Sequence, residues 1–372
     1  MPAVNLLIKP ASGLCNYRCS YCFYADEMEN RQQKSYGIMT DETLENVIKK
    51  ALDFSEGSMS LAFQGGEPTL AGLDFFKKMC NLVDRYNVKG VQVDYALQTN
   101  GSMIDEDWCR FLKEKNFLVG LSIDGIKSTH DCFRKDAGGQ DTYLKTLEAA
   151  KQMDRFGVEY NVLTVVNRRT APKIRRIYDQ YKKQGFMWQQ YIACLDPLGT
   201  EAGSMDYSLT PQDYGNFLID LFDLWQQDFW NRRSQPYIRQ FENYISILLG
   251  FMPESCEQRG TCSIQNVVEA DGSVYPCDFY VLDDYRLGNL NDEDFDAIYA
   301  RRIEKEFVDA SLNHTEECRK CRYFAICRGG CNRHRTQPGS PEGLNCFCQS
   351  YKMLFDRWYP MMVKIAEECR RQ

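Results

Sequence analysis

Cys15-Asn16-Tyr17-Arg18-Cys19-Ser20-Tyr21-Cys22 is the stretch whose reading decides the fold. Three and then two residues separate its cysteines, the aromatic Tyr21 precedes the last one, and Phe23 and Tyr24 follow it. The run comes just after a short apolar segment, Val4 to Ile8, that reads as a strand. Three thiolates on one tight loop can hold three irons of a four-iron cluster, which leaves the fourth iron without a protein ligand. An open iron is a place for a substrate to coordinate, as in catalytic metal sites that keep one position free. The competing reading is a zinc loop or buried structural thiols. A structural zinc wants four protein ligands, and the loop holds no fourth candidate.

Outward from this loop, the 372 residues suggest about two domains at roughly 150 residues each. The balance is mildly acidic, with a net charge of −7. No basic stripe runs along any segment, so no nucleic acid is expected as a partner. No apolar run approaches the roughly 18 residues that a membrane helix needs. The N-terminus passes straight into the first strand without a basic region or cleavage site, so a cytoplasmic protein is expected. Disulfides are rare in that compartment, and the 17 cysteines need another explanation. Three lie in the opening loop and eight in clusters in the last third. Of the other six (Cys80, Cys109, Cys132, Cys194, Cys346 and Cys369) most read as small buried hydrophobes, with Cys346 the doubtful case.

From residue 4 to about 230, short apolar runs alternate with amphipathic stretches. The expected strands are Val4–Ile8, Ser60–Gln64, Val91–Gln98, Leu118–Ile123, Tyr160–Val166 and Trp188–Ala193. Between them Leu44, Val47, Ile48, Ala51 and Leu52 fall on one helical face, and Leu73, Phe76, Cys80 and Val83 repeat the pattern. Strand–helix alternation with short connections implies parallel strands joined by right-handed crossovers. Six such units suit a partial barrel open on one side, with chemistry at the C-terminal strand ends. Thr210-Pro211 is a helix start with proline at the first helical position, and the aromatic helix running to about Trp230 is expected to be buried against the barrel. The polar break at residues 231–236 places the domain boundary, giving domains 1–235 and 236–372.

The other strand ends carry matching signals. Gln64-Gly65-Gly66-Glu67-Pro68 follows the second strand; its glycines let backbone approach a ligand, and Glu67 can accept hydrogen bonds from an ammonium group. Ser122 and Asp124-Gly125 follow the fourth, with Arg134 further on, and Leu195 follows the sixth. In the last third come Cys256, Cys262 and Cys277, then Cys318-x2-Cys321-x5-Cys327-x3-Cys331, then Cys346 and Cys348. Asp271-Gly272-Ser273 signals a hairpin. Eight thiolates suffice for two four-coordinate zincs or two four-iron clusters, and spacing alone does not choose. Asp278 directly follows Cys277. Spacing alone reads it as a solvated hairpin residue.

The opening motif resembles the radical S-adenosylmethionine (SAM) enzymes. That resemblance implies a partial (β/α)6 barrel in an α/β fold, and a cluster held by Cys15, Cys19 and Cys22 whose open iron binds SAM. It further implies a 5′-deoxyadenosyl radical that takes a hydrogen atom from the substrate, chemistry supplied by the cofactor. Carried residue by residue, Tyr21, Gly65, Gly66, Glu67, Ser122, Arg134 and Leu195 become expected SAM contacts. The cysteine-rich third resembles the SPASM extension of these enzymes, which carries two auxiliary [4Fe-4S] clusters and so brings the total to three. By that pattern Cys256, Cys262, Cys277 and Cys331 hold the first, and Cys318, Cys321, Cys327 and Cys348 the second. Cys346 is the rival for the last place.

Among these enzymes the chain is most similar to the anaerobic sulfatase-maturating subfamily. The likeness includes Leu7-Ile8-Lys9-Pro10, Ser35-Tyr36-Gly37-Ile38-Met39, the Gln64–Leu70 turn and Val274-Tyr275-Pro276-Cys277-Asp278-Phe279-Tyr280. It implies oxidation of a cysteine or serine to Cα-formylglycine in an unfolded sulfatase segment resembling Cys/Ser-x-Pro/Ala-x-Arg. Asp278 would be the base, the electron would leave through the first auxiliary cluster, and a flavodoxin or ferredoxin would be the reductant. The runner-up is a SPASM enzyme that forms thioether or carbon–carbon cross-links in a ribosomal peptide. Such enzymes often carry an N-terminal peptide-recognition domain, for which this chain has no room. A zinc-stapled binding protein is the non-enzymatic alternative.

Overall fold

A computed structural model describes residues 3–336 and 343–371. Ten strands follow one another among them: β1 (Val4–Ile8), β2 (Ser58–Phe63), β3 (Gln92–Thr99), β4 (Leu118–Ser122), β5 (Tyr160–Val166), β6 (Trp188–Ala193), β7 (Tyr237–Ile238), β8 (Asn266–Val268), β9 (Ser273–Tyr275) and β10 (Gly288–Asn289). The six expected strands are all present; β1, β5 and β6 have the expected ends, and those of β2, β3 and β4 shift by one or two residues. The chain divides into two compact units. One comprises residues 1–122, 134–160 and 264–307; the other comprises 123–133, 161–263 and 308–372.

In the first unit β1, β2, β3 and β4 lie side by side and parallel, β1 pairing with β2 from Val4↔Met59 to Ile8↔Phe63. Helices Asp41–Phe54, Leu73–Tyr86 and Glu106–Glu114 supply the crossovers. Their apolar faces follow the 3.6-residue period, and Leu44, Val47, Ile48 and Ala51 are fully buried. Leu6 and Ile8, on β1's other side from Asn5, are equally buried, as a parallel strand requires.

The sequence does not reveal what lies beyond β1. β8 pairs with it in parallel, Leu6↔Asn266 to Ile8↔Val268, and the expected hairpin then turns at Asp271-Gly272 into antiparallel β9. The hairpin, assigned by its position in the sequence to residues 236–372, thus packs within the first unit. Strand pairing decides this: β8 covers the otherwise unpaired edge of β1, and open edges are a liability.

In the second unit β5, β6 and β7 are parallel. Helix Pro211–Trp230 begins as expected, with the Thr210 side chain accepting from the Asp213 amide. It lies on helix Ile174–Lys183, through Tyr178 to Asp228 at 2.7 Å, and also on the C-terminal helix Cys348–Arg371. Ser350 Oγ donates to the Pro211 carbonyl at 2.6 Å, and Trp358 Nε1 to the Ile219 carbonyl at 3.2 Å. The aromatic face therefore covers a helix as well as the strand layer. Among the described residues, no helix is long and apolar enough to cross a membrane.

Candidate active site

The cysteine loop leaves the C-terminal end of β1 and is stitched into place by backbone and amide groups. Gly66 N–H donates to the Ser12 carbonyl at 3.0 Å and Glu67 N–H to the Leu14 carbonyl at 2.8 Å. Arg18 N–H donates to the Lys135 carbonyl at 2.7 Å, and Tyr17 bridges Asp136. Asn100 Nδ2 reaches Asn16 Oδ1 at 2.9 Å and Cys15 Sγ at 3.9 Å; the Tyr17 amide also approaches that sulfur, at 3.3 Å. Burial pushes the Cys15 thiol up to about 11 and raises Cys22 as well. Buried thiols of this kind become thiolates only when a metal supplies the compensating charge.

The Gly-Gly-Glu turn meets the loop more intimately than its sequence suggests. A Cβ on Gly66 would lie 2.0 Å from the Leu14 carbonyl oxygen and 2.7 Å from the Gly13 carbonyl carbon, both backbone atoms that cannot turn aside. Gly65 has φ +116°, where a side chain is strained. Glu67 is buried, and its carboxylate takes four donors: the Thr69 amide and hydroxyl, the Thr99 hydroxyl and the Asn100 amide, at 2.6–3.1 Å. These bonds brace the turn after β2 against the end of β3.

Tyr21 and Arg134 lie together, the guanidinium 5.5 Å from the ring centroid, and Arg134 Nη1 is 3.9 Å from Cys19 Sγ. Ser122 ends β4 and accepts from Gln98 Nε2 at 2.9 Å. Leu195 is buried just after β6, in the second unit.

Asp278 is not a solvated hairpin residue. It is 8% exposed, and its Oδ2 accepts from Tyr24 Oη at 2.6 Å and from Gln64 Nε2 at 2.5 Å. Gln64 Nε2 also donates to Tyr24 Oη. Oδ1 is buried without a hydrogen-bond partner. Behind this triad runs an ionic layer. Lys9, 1% exposed, has Nζ 3.2 Å from Glu269, 3.9 Å from Glu27 and 4.9 Å from the Tyr24 ring centroid. Arg31 completes the layer at 2.8 Å from Glu269. These two cations hold Glu269 below the usual carboxylate range despite its burial, whereas burial pushes Glu27 up to about 8. Sequence reading gave Lys9, Tyr24, Gln64, Glu27, Arg31 and Glu269 no role. The signals were adjacency, with Tyr24 following the cysteine motif and Gln64 preceding the glycines, and the place of Lys9 and Gln64 in strings that carry the family likeness.

Of the eight later thiols assigned to clusters, all but Cys277 lie in the second unit. Cys256, Cys262 and Cys331 are electrostatic neighbours, and burial together with Glu257 and the other two thiols raises Cys331. Cys318, Cys321, Cys327 and Cys348 line one cavity with Tyr323, Phe324 and Tyr351, and Cys346 is not among its lining residues. The Cys346 amide instead donates to the His334 carbonyl at 2.9 Å. Four thiols around one cavity match the donor set of a fully cysteine-ligated cubane, and three thiols on the opening loop match a cubane with an open iron. Cys277 belongs to the first unit, beside Asp278. Among the described residues, no group of three or more His, Cys, Asp or Glu side chains is placed to hold a single metal ion. Cys80, Cys109 and Cys194 are buried as expected, but Cys132 and Cys369 are exposed.

Comparison with known proteins places this arrangement. Residues 10–180 match the model of the radical SAM superfamily, and residues 256–322 match the SPASM iron–sulfur cluster-binding domain. The chain is similar to the cysteine-type anaerobic sulfatase-maturating enzyme of Clostridium novyi, at 46% identity over 99% of this chain and 98% of that one. The same-named protein of Clostridium perfringens is 47% identical over the full length of both. A solved structure, native anSMEcpe with bound AdoMet and Cp18Cys peptide, matches with a TM-score of 0.93 at 47% identity, covering 99% of this chain and 100% of that one. The fold is thus the α/β fold of radical SAM enzymes with a C-terminal SPASM domain, and the cofactors are SAM and [4Fe-4S] clusters. With β1, its cysteine loop and the thiol-rich third all accounted for, this chain belongs to the anaerobic sulfatase-maturating enzymes.

Proposed function

We propose that this chain, a radical SAM oxidoreductase, converts a cysteine of an unfolded sulfatase segment to Cα-formylglycine, with Asp278 as the proton acceptor. The observation that carries the assignment is the Asp278 carboxylate, buried, gripped at Oδ2 by Tyr24 and Gln64, and open at Oδ1. When bound, SAM and the cluster at Cys15, Cys19 and Cys22 supply a carbon radical that removes one hydrogen atom, and the auxiliary clusters supply an outlet for one electron. The chain's own residues do the rest. Asn100 and Arg134 point donors at the loop sulfurs, Gly66 lets the loop close on the second strand, and Glu67 fixes both. Asp278 Oδ1 takes the substrate's thiol proton. Loss of one hydrogen atom from Cβ, one proton and one electron leaves a thioaldehyde. Water then replaces sulfur with oxygen and releases hydrogen sulfide.

For the ligand sets, we assign Cys256, Cys262, Cys277 and Cys331 to one auxiliary cluster and Cys318, Cys321, Cys327 and Cys348 to the other. The shared cavity favours Cys348 over Cys346. Tyr21, Gly65, Gly66, Glu67, Ser122, Arg134 and Leu195 are assigned to SAM. The same-named relatives favour cysteine over serine as target. The peptide Cys-x-Pro-x-Arg, a flavodoxin or ferredoxin reductant and a cytoplasmic setting complete the reading.

The test is mass spectrometry of a Cys-x-Pro-x-Arg peptide after anaerobic incubation with reconstituted protein, SAM and reductant. An aldehyde in place of the thiol, with 5′-deoxyadenosine formed, is expected. Cleavage of SAM with the peptide unchanged would sink the substrate assignment and favour peptide cross-linking.

A further inference from the structure

The turn after Cys331 carries Arg333, His334 and Arg335, all buried, and Arg335 is 5% exposed. Its Nη2 donates to the Ser311 carbonyl at 2.7 Å. Its Nη1 donates to His314 Nδ1 at 3.2 Å and to the Asn313 carbonyl at 3.4 Å, while Nε is buried without a partner. Among the described residues no carboxylate pairs with this guanidinium. Burying a cation with no counter-charge is costly, so the negative charge must come from another source.

The surroundings of Arg335 identify that source. On one side Ser311, whose carbonyl it grips, accepts the Cys262 amide through its hydroxyl at 2.9 Å. On the other side His314, which it also grips, converges with Cys318. A Cβ on Gly329 would lie 2.6 Å from His314 Nδ1 and 3.4 Å from Cys318 Sγ. Gly329 has φ +80°, so the chain leaves that corner empty of side chain. Because arginine only donates, His314 Nδ1 must accept, which fixes a neutral ring with its proton on Nε2. Arg335 thus stands one residue away from a cysteine of each set, through Ser311 from Cys262 and through His314 from Cys318.

We propose that Arg335 is the shared counter-charge of the two auxiliary clusters, a positioning residue that raises their reduction potentials. The proposal rests on the ligand sets assigned above. A cubane held by four thiolates is anionic and gains another negative charge on reduction. A fixed cation beside it, in a poorly screened interior, favours the reduced form. Arg335 serves both sets from one side chain, so its removal lowers both potentials together.

The experiment is an EPR-monitored redox titration of the anaerobically reconstituted full chain, wild type against Arg335→Gln and Arg335→Lys, with iron content measured in parallel. Signals that change on adding SAM belong to the cluster at Cys15, Cys19 and Cys22 and act as the internal control. In Arg335→Gln the reduced-to-oxidised ratio of the auxiliary clusters at fixed potential should fall about tenfold, about 59 mV for a one-electron couple, with the SAM-responsive signal unmoved. Arg335→Lys should restore most of the shift. Auxiliary midpoints unmoved at full iron loading, or all clusters shifting alike, would overturn the proposal. Should Arg335→Gln lose its auxiliary iron, Arg335→Lys decides. A loaded lysine variant with near wild-type midpoints supports the charge role; one that also loses iron shows a packing role and overturns it. Wild-type protein with the iron of one cluster alone would defeat the ligand sets themselves, a result distinct from unmoved midpoints.

Discussion

The role proposed for Asp278 rests on two neighbours rather than on its own position in the chain. Tyr24 and Gln64 take up Oδ2 and leave Oδ1 for a proton. Asparagine keeps the shape but cannot accept that proton. Asp278→Asn should therefore cut formylglycine formation by about 100-fold or more while SAM cleavage persists, read by chromatography and mass spectrometry of both products. Gly66 makes the opposite kind of demand, since the atoms that a Cβ would strike belong to the cysteine loop's backbone. Gly66→Ala should leave the chain short of one cluster's iron and stop SAM cleavage. Glu27 offers a pH test. Burial holds its folded-state value at about 8, above the ordinary carboxylate range, so the folded protein retains a proton that the unfolded chain has released. Its contribution to stability is complete at low pH and fades as pH rises through that value. Glu27→Gln fixes the neutral form. Its Tm should exceed that of the wild type at about pH 9 and differ little at about pH 5, by scanning calorimetry.

At the scale of elements, the cap at Thr210 illustrates how local signals become helices. Its hydroxyl accepts the Asp213 amide at 3.1 Å, and Pro211 sits where the missing N–H costs nothing. Thr210→Ala should lower stability by about 1 kcal/mol, a Tm fall of about 2–4 °C, with SAM cleavage retained. The same helix shows the limit of such signals. Its aromatic face announces burial but not the partner, and Gly215 is the small residue that lets the C-terminal helix approach. A Cβ there would lie 2.6 Å from Met353 Sδ.

At the scale of the molecule, thiols take the place of regular structure in much of the second unit. From Val308 to Thr336 the chain forms only short helical turns around four half-buried cysteines. Ligand binding and folding are coupled in such segments. Chelating the iron should lower Tm and expose residues 308–336 to limited proteolysis while the β1–β4 core stays intact, mapped by mass spectrometry of the fragments. The sequence by itself determined what depends on short-range spacing: the loop cysteines, the six alternating strands, the Gly-Gly-Glu turn and the two sets of later thiols. Periodicity and tight-loop chemistry act within a few residues, so they are written locally. Only the tertiary structure decided which distant segments meet. β8, three residues long, carries no signal that it will lie beside β1 some 260 residues away, yet its hairpin brings Asp278 to Tyr24 and Gln64 and Glu269 to Lys9. Arg335 likewise reads as one basic residue among three in its turn, until Ser311 and His314 place it between two sets of thiols. Long-range pairing is decided by which edge remains open and which buried charge still lacks its partner, and both are properties of the folded chain.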